Sequence, residues 1–431
     1  MQAFILRFKS YSSRITNSIA FYPAIYSVFA VVLSMVMIWL ERQGISLYLK
    51  ENIALFVVSN EDTARSILTT LIAGCFSLLV FSFSMVMLLL NQAANNFSPR
   101  VLPGLIANKK HQFILGIFLS SILFNIITVV SIEPEQNAYA VPGFSVLLGI
   151  TSAIMALIAF VYFIHSISTS IQINKIMHAI FETTERALQE STDYEAAIDQ
   201  NIGFETALWP TYEVAKIGKI QNISRDSLIK TCVSLKIRVH ILVPKGQYLF
   251  KNESLYSASR VLTKEEREQV ASSIIFDESE RVEENFELGF KQLTEVGVKA
   301  MSPGINDPGT AIETLNYLAT LAAMRMLKKD HTFFVNETGD LVAKTKQLSF
   351  DTLMYHTYAS YRTYCKHDFN MSHRLLATLG QLKNATAVDP TYHKTINEQL
   401  ALVFKDATSS IPNATDCVRL EQLYKHIQHE S

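Results

Sequence analysis

The chain has 431 residues, enough for two or three domains, and it is unusually apolar, with 49% hydrophobic and only 18% charged residues. Its 38 Lys and Arg residues nearly balance its 39 Asp and Glu residues, and no basic tract indicates nucleic acid as a partner. The four cysteines stand far apart without a CxxC pair, which argues against a disulfide framework or a structural zinc site.

Four apolar segments in the first 170 residues predict transmembrane helices. A bilayer core of about 30 Å needs about 20 apolar residues in a helix, and segments 21–40, 66–90, 113–132 and 144–167 satisfy this requirement. The first segment follows a basic leader, residues 1–20, and resembles a signal peptide. Its apolar run is too long for one and ends in bulky residues, so we expect an uncleaved anchor.

The charges of the loops predict the orientation of these four helices. Basic residues without acidic ones occupy the leader and the loop between the second and third segments, whereas the other two loops are rich in Glu and Asp. Because basic loops stay on the cytoplasmic side, both termini should be cytoplasmic. We therefore expect a multi-pass inner-membrane protein whose lipid-embedded part occupies residues 21–170.

The second segment carries small and polar residues at helical spacing on one side. They are interrupted by Phe81, and the set of candidate pore-lining residues is Thr70, Gly74, Ser77, Phe81, Ser84, Asn91 and Asn95. Two interpretations compete: the stripe packs closely against another helix, or it lines a watery path through a homo-oligomer. Asn125 and His165 are the other polar residues within the apolar segments, and polar groups at depth are often functional.

The rest of the chain has the composition of an ordinary water-soluble protein. We predict a helical connector at 171–211, formed partly by a continuation of the fourth membrane helix to about residue 190, and a small β-rich domain at 212–276. A mainly helical domain at 277–431 should include a β-hairpin near 332–348. The predicted fold class is therefore a four-helix transmembrane domain followed by a cytoplasmic α+β domain that ends in a helical bundle.

Two short motifs contain proline beside serine. In the first, Ser98 can cap a short interfacial helix that Pro99 opens, with Arg100 among the lipid headgroups. In the second, the run from Ser302 to Pro308 suits a type II turn with Gly304 at its centre, followed by a helix that Asp307 caps. The alternative interpretation is a small-ligand site at the helix start, with Ser302, Gly304, Asn306 and Asp307 as the binding residues.

An acidic stripe precedes the second motif. It comprises Glu280, Glu283, Glu284 and Glu287, opposite an apolar stripe on the same predicted helix. Such a stripe is either a solvated helix face or a surface that attracts cations near a pore mouth.

The two proline motifs resemble those of a bacterial family of predicted inner-membrane proteins, domain of unknown function 2254. The family strings are similar to QFSPRVL and ALSPGINDPFTA, and this chain has Phe97-Ser98-Pro99-Arg100-Val101-Leu102 and Ala300–Ala311, which reads AMSPGINDPGTA. Gly309 replaces the usual aromatic residue. The order of four spans, a β-rich segment and a helical hairpin also resembles the family. The resemblance implies a bacterial inner-membrane location and carries no activity.

Enzyme and metal-site signatures are missing from the sequence. It contains no phosphate-binding, nucleophile-elbow, metalloprotease or dinucleotide motif, and His367 and His373 fall on different faces of a helix. We therefore expect no enzyme activity, no catalytic residues, no metal and no cofactor. Two hypotheses remain: an oligomeric ion channel lined by the second helix and gated by the cytoplasmic domain, or a membrane-anchored sensor or scaffold whose cytoplasmic domain binds a ligand or protein.

Overall fold

A computed structural model describes residues 20–46, 48, 58, 60–96, 109–132, 141–170, 172–196, 205–214, 216–276 and 281–429, with backbone alone for 93–96, 168–170 and 191–196. The chain divides into two compact units, and the boundary that follows the fourth helix lies between Gln172 and Ile173. We call them the membrane unit and the C-terminal unit. The predicted boundaries at 20/21, 211/212 and 276/277 remain predictions.

The membrane unit contains the four predicted apolar helices. Within the described residues they are α1 (Phe21–Arg42), α2 (Glu61–Asn96), α3 (Lys109–Val130) and α4 (Gly143–Ser170), and each is long and apolar enough to cross a membrane. The prediction of four long apolar helices is confirmed. The predicted continuation of the fourth helix to about residue 190 is wrong as one helix, because α4 ends at Ser170 and a new helix begins at Ile173. The serine-rich end of α4 is a weak helix former, since serine hydroxyls compete for backbone hydrogen bonds.

Helix α3 is the centre of the membrane unit. It packs along α1, where Gly116 permits close approach: a Cβ there would lie 2.6 Å from Cδ2 of Tyr26. Its other side contacts α4 and α2 through Phe118, Phe163 and their apolar neighbours. At the other end of the bundle, the Glu41 carboxylate accepts hydrogen bonds from the backbone N–H and hydroxyl of Ser145, at 2.8 and 2.9 Å. The end of α1 thereby caps the start of α4.

The C-terminal unit begins with α5 (Ile173–Ala196) and continues into a mixed region. Its strands are β1 (Thr211–Glu213), β2 (Gly218–Ile223), β3 (Val239–Ile241), β4 (Tyr248–Leu249), β5 (Ser254–Ala258), β6 (Ile274–Phe276), β7 (His331–Val335) and β8 (Leu341–Lys346). Its helices between the strands are α6 (Arg225–Leu235), α7 (Lys264–Ser272), α8 (Glu287–Ala300) and α9 (Pro308–Met326). Four helices follow: α10 (Phe350–Cys365), α11 (Phe369–Lys383), α12 (Thr391–Ser410) and α13 (Ala414–His429). The predicted order of a mixed region followed by helices is confirmed.

The described strands form two sheets. The larger has the order β1-β5-β3-β8-β7 and is antiparallel except for the parallel pair β3 and β8, whereas β4, β2 and β6 form the smaller one. The predicted hairpin, β7 and β8, therefore joins the sheet of the preceding β-rich segment. One core of Val239, Ile241, Tyr256 and their neighbours, with Leu228 of α6, holds this region together.

The helical hairpin α8–α9 forms the second core of this unit. The sequence pattern predicts a helix over 282–300 with a buried stripe of Val282, Phe286, Phe290, Leu293 and Val296. All five are buried as predicted, but the helix itself begins only at Glu287. Both helices also pack against α5, where a Cβ at Gly289 would collide with the side chain of Thr184. Helices α10 and α11 cover the other side of the hairpin, with Tyr361 fully buried.

Candidate functional site

The predicted stripe of the second helix lies on the exposed side of the membrane unit. Thr70, Gly74, Ser77, Ser84 and Asn91 are all exposed, and a Cβ at Gly74 would meet nothing within 4 Å. The stripe is thus not a packing seam within one copy, among the residues that the structure describes. For Asn95 only the helical backbone is described, and Ser98, Pro99 and Arg100 lie outside the described residues.

The spacing of the stripe matches the period of two α-helices that wind around each other in a left-handed coiled coil. Its positions alternate by four and three residues when Leu88 is included, and this 3.5-residue period is the seam of a coiled coil. Beside it on the same exposed arc runs a second stripe that is purely apolar and suits lipid tails. Its members are Phe76, Val80, Phe83 and Met87.

The hydroxyl groups of the stripe are satisfied by their own helix. Thr70, Ser77 and Ser84 each donate to the carbonyl four residues earlier, at 2.8 to 2.9 Å. The interrupting Phe81 is 49% exposed, and its ring meets Phe160 of α4 edge-on at a centroid distance of 5.8 Å. The stripe can therefore face lipid, another helix or water without an unpaired hydroxyl.

A second polar group lies inside the bundle. Asn125 is fully buried and its Nδ2 donates to the Ser121 carbonyl at 2.7 Å. The Ser121 hydroxyl lies 2.9 Å from that of Ser152, and 3.7 Å from the Cys75 sulfur, so three helices meet here. The Asn125 Oδ1 has no hydrogen-bond partner and lies against Gly149, where a Cβ would collide with it. The cluster ties α2, α3 and α4 together. His165, the other predicted polar residue, is exposed on α4.

The run from Ser302 to Asp307 forms one exposed turn between α8 and α9. The carbonyl of Ser302 accepts from the N–H groups of Ile305 and Asn306, at 3.0 and 2.9 Å. The predicted type II turn is wrong, because Gly304 lacks the positive φ that this turn requires, whereas Asn306 has a φ of 49°. The chain instead continues to wind like a helix, and Asn306, which tolerates the left-handed conformation, ends it.

The predicted cap at Asp307 is confirmed. Its carboxylate accepts from the backbone N–H of Thr310 at 3.1 Å and from the Thr310 hydroxyl at 2.6 Å, and Pro308 opens α9. The Thr310 side chain and then its backbone N–H lower the pKa of Asp307. The carboxylate thus occupies the position where an anion would bind at this helix start. A ligand at Ser302, Gly304, Asn306 and Asp307 remains a prediction.

The glutamates of the acidic stripe lie in different environments in the structure. Glu283 is exposed and Glu284 pairs with Arg281 at 3.3 Å, whereas Glu280 lies outside the described residues. Glu287 is partly buried, and its Oε1 accepts from the backbone N–H of Leu348 at 3.1 Å. The expectation of one solvated or cation-attracting face is therefore wrong for Glu287, because the hairpin-to-helix connection at Leu348 covers its position.

An ionic cluster lies beside Glu287, at the end of α9. Arg325 is 0% exposed, and its guanidinium donates to the Lys328 carbonyl at 2.6 Å, to Asp330 Oδ1 at 2.5 Å and to the Leu348 carbonyl at 3.1 Å. Tyr392 of α12 donates to the same carboxylate oxygen at 3.1 Å. We did not predict this cluster, and its signal was a single charge within the apolar stripe of α9. It fixes the connection between α9, β7 and α10.

Chemistry of a metal site is not apparent in the described part of the chain, where no group of three or more His, Cys, Asp or Glu side chains could hold an ion. Three cysteines, Cys75, Cys232 and Cys365, are buried, and Cys417 is partly buried. Burial raises the pKa of the Cys232 and Cys365 thiols to about 12. These two thiols are small core residues and not activated nucleophiles.

Comparison with known proteins identifies uncharacterized relatives and a matching family model. The chain is 22% identical to an uncharacterized protein of Mycobacterium bovis and to one of Mycobacterium tuberculosis, over 371 residues that cover 82% of this chain and 70% of each relative. No solved structure matches the chain. The family described as "Predicted membrane protein (DUF2254)" matches residues 16–381, which include α1 to α4 and the turn between α8 and α9. The chain therefore belongs to this family of predicted membrane proteins, domain of unknown function 2254.

Proposed function

We propose that the protein is an oligomeric ion channel in which α2 of each copy contributes to a shared pore. The carrying observation is that the stripe of small and polar residues faces outward, next to an apolar stripe that suits lipid. Two stripes of such different chemistry on one exposed arc are expected when one meets lipid and the other meets protein or water.

The pore would lie between copies and not within one bundle. The centre of the bundle is filled by large side chains, among which Phe118 and Phe163 are fully buried. A passage among α2, α3 and α4 would need these rings to move. A passage lined by Thr70, Ser77 and Ser84 needs only the association of several copies.

The loop charges suggest which ions would enter. Glu61 and Asp62 start α2, at the end that the positive-inside rule assigns to the outside of the bacterial inner membrane. Acidic residues around a pore entrance concentrate cations. The same rule assigns both termini and the C-terminal unit to the cytoplasm, where this unit would gate the pore.

Thiol accessibility tests the pore. In a background without native cysteines, Ser77→Cys in the reconstituted protein should react with a small water-soluble thiol reagent and form cross-links between copies, because the stripe faces a shared aqueous axis. The matched control is Phe76→Cys, which lies at nearly the same depth on the apolar stripe and should not react.

Ion flux in proteoliposomes gives the second measurement. Phe81→Ser should increase cation flux, because it removes the bulkiest apolar side chain from the stripe and favours wetting. Phe83→Ser removes a similarly exposed ring from the apolar stripe and should leave the flux unchanged. A strictly monomeric protein, or equal reactivity of Ser77→Cys and Phe76→Cys, would contradict the channel.

The second candidate function is a membrane-anchored sensor or scaffold whose C-terminal unit binds a ligand or a protein partner. Its supporting observation is that Thr70, Ser77 and Ser84 donate to their own backbone and need no water. If Ser77→Cys cross-links copies but does not react with the water-soluble reagent, α2 is a dry contact and this candidate takes first place.

A further inference from the structure

One face of the large sheet carries a row of polar and basic side chains. Residues paired across adjacent strands project on the same side, and the register joins Ser257 of β5 to His240 of β3, His240 to Lys344 of β8, and Lys344 to Phe333 of β7. Two residues further along β8, Lys346 pairs with His331 of β7 and faces the same side. We call this set the basic face.

Several buried atoms of the basic face have no hydrogen-bond partner. They are the hydroxyl of Ser257, both ring nitrogens of His240 and Nδ1 of His331. Ser257 is only 2% exposed. A buried polar atom without a partner costs about 1–3 kcal/mol, so native proteins seldom place three such side chains together without an occupant.

The charges around His240 are all basic, whereas His331 faces Lys344 and Lys346 and also the Asp330 carboxylate. The groups that act on the charge of His240 are Lys344, His331 and Lys346, and all of them are basic. Burial, followed by these three neighbours, lowers the pKa of His240 to about 4. Burial also lowers the pKa of Lys344, whose ammonium lies 5.7 Å from the centre of the Phe333 ring. An anion would relieve both the mutual repulsion and the unpaired donors.

We propose that the basic face is a binding site for a small oxyanion, such as inorganic phosphate or the phosphate group of a metabolite. Lys344 and Lys346 supply the positive charge, and Ser257, His240 and His331 supply hydrogen-bond donors beneath it. A tetrahedral oxyanion has enough acceptor oxygens for all of these donors, whereas chloride accepts weakly and cannot bridge them. The site lies entirely in the C-terminal unit and is independent of the proposed pore.

Binding of radiolabelled phosphate to the purified full-length protein in detergent tests the site. We expect saturable binding by equilibrium dialysis, and about tenfold weaker binding for Lys344→Met, which removes one charge-assisted contact. Lys264→Met is the matched control, since it removes an exposed lysine of α7 in the same unit, and it should bind as the unchanged protein does. Ser257→Ala removes a hydroxyl without a partner and should also weaken binding while it preserves the fold.

The dependence on pH provides a readout that a structural role would not change. Sulfate keeps its charge between pH 6 and 8, so an affinity that increases as the pH falls reports a proton taken up by the protein, at His240, at His331 or at Lys344, whose pKa is also lowered. His240→Phe should reduce that increase. Acetate measured in parallel distinguishes a carboxylate from a phosphate as the preferred group.

Three outcomes would overturn the proposal. The first is the absence of saturable phosphate or sulfate binding. The second is equal binding by Lys344→Met, Ser257→Ala and the unchanged protein. The third is that chloride raises the melting temperature as much as phosphate does at matched ionic strength, which would mean that the basic face responds only to screening of its charges.

Discussion

Glu287 illustrates how one residue can lie on a helical face predicted to be solvated and yet be turned inward. Its carboxyl accepts from Leu348 N–H, and burial raises its pKa to about 7 despite that hydrogen bond and the nearby charges of Arg325 and Lys245. Lys245 is subject to the same burial, which lowers its pKa against the pull of Glu284 and Glu287, and its Nζ donates to the Glu284 carbonyl at 2.9 Å. These side chains join the β-rich region to the start of α8.

The raised pKa of Glu287 predicts how stability depends on pH. Between pH 4.5 and about 7 the folded chain holds a proton on Glu287 that the unfolded chain has released, so the free energy of unfolding decreases as the pH rises through this window. Glu287→Gln should remove that decrease and stabilise the protein at pH 8 by on the order of 1–3 kcal/mol.

Chemical denaturation of the full-length protein in detergent at pH 5 and pH 8 measures this difference. Glu283→Gln removes an exposed carboxyl from the segment before the same helix and serves as the control, which should keep the decrease. If the free energy of unfolding decreases by the same amount between pH 5 and pH 8 in Glu287→Gln and in the unchanged protein, the assigned role of Glu287 is disproved.

At the scale of elements, the turn between α8 and α9 shows how a motif can form in a way that differs from its predicted geometry. A type II turn would need glycine at position 304, but the observed turn places its one left-handed residue at Asn306 and leaves Gly304 with open space around a Cβ. Glycine is instead required inside α8, where a Cβ at Gly297 would collide with the hydroxyls of Tyr361 and Thr314. The close approach of α8 to α9 and α10 therefore depends on Gly297.

Substitutions in this turn should distinguish the contribution of the Asp307 cap to stability from that of Gly304. Asp307→Ala should lower the free energy of unfolding by about 1 kcal/mol, because α9 loses its cap. Gly304→Ala should change stability by less than about 0.5 kcal/mol, as is usual for exposed positions. Thermal and denaturant unfolding measure both. If Gly304→Ala destabilises as strongly as Gly297→Ala, the observed turn geometry is not the one that the protein uses.

At the scale of the whole molecule, the chain combines a unit of four long apolar helices with a larger C-terminal unit. The described part of the membrane unit has an apolar exposed surface, on which α1 and α4 present Val28, Phe29, Trp39, Ile158 and Val161. The side of the membrane on which each end lies is predicted by the distribution of basic residues among the connecting loops.

Impermeant maleimide labelling of intact cells tests this topology in a cysteine-free background. Asp62→Cys at the start of α2 should be labelled from outside, whereas Lys109→Cys and Lys264→Cys should react only after permeabilisation, because basic segments remain in the cytoplasm. All three positions are exposed, so a missing signal reflects the membrane and not burial. External labelling of Lys264→Cys would reverse the orientation and remove the C-terminal unit as a cytoplasmic gate.

The sequence alone determined the four apolar helices, the hairpin of β7 and β8, the cap at Asp307 and the family. These features depend on local composition, on periodicity and on residues close together in the chain, so the linear sequence is sufficient to predict them. Only the tertiary structure decided the outward position of the α2 stripe, the burial of Glu287 and Arg325, and the meeting of Ser257, His240 and Lys344 on one face. Those features arise from contacts between residues far apart in sequence, where packing selects which of several polar or amphipathic faces becomes buried.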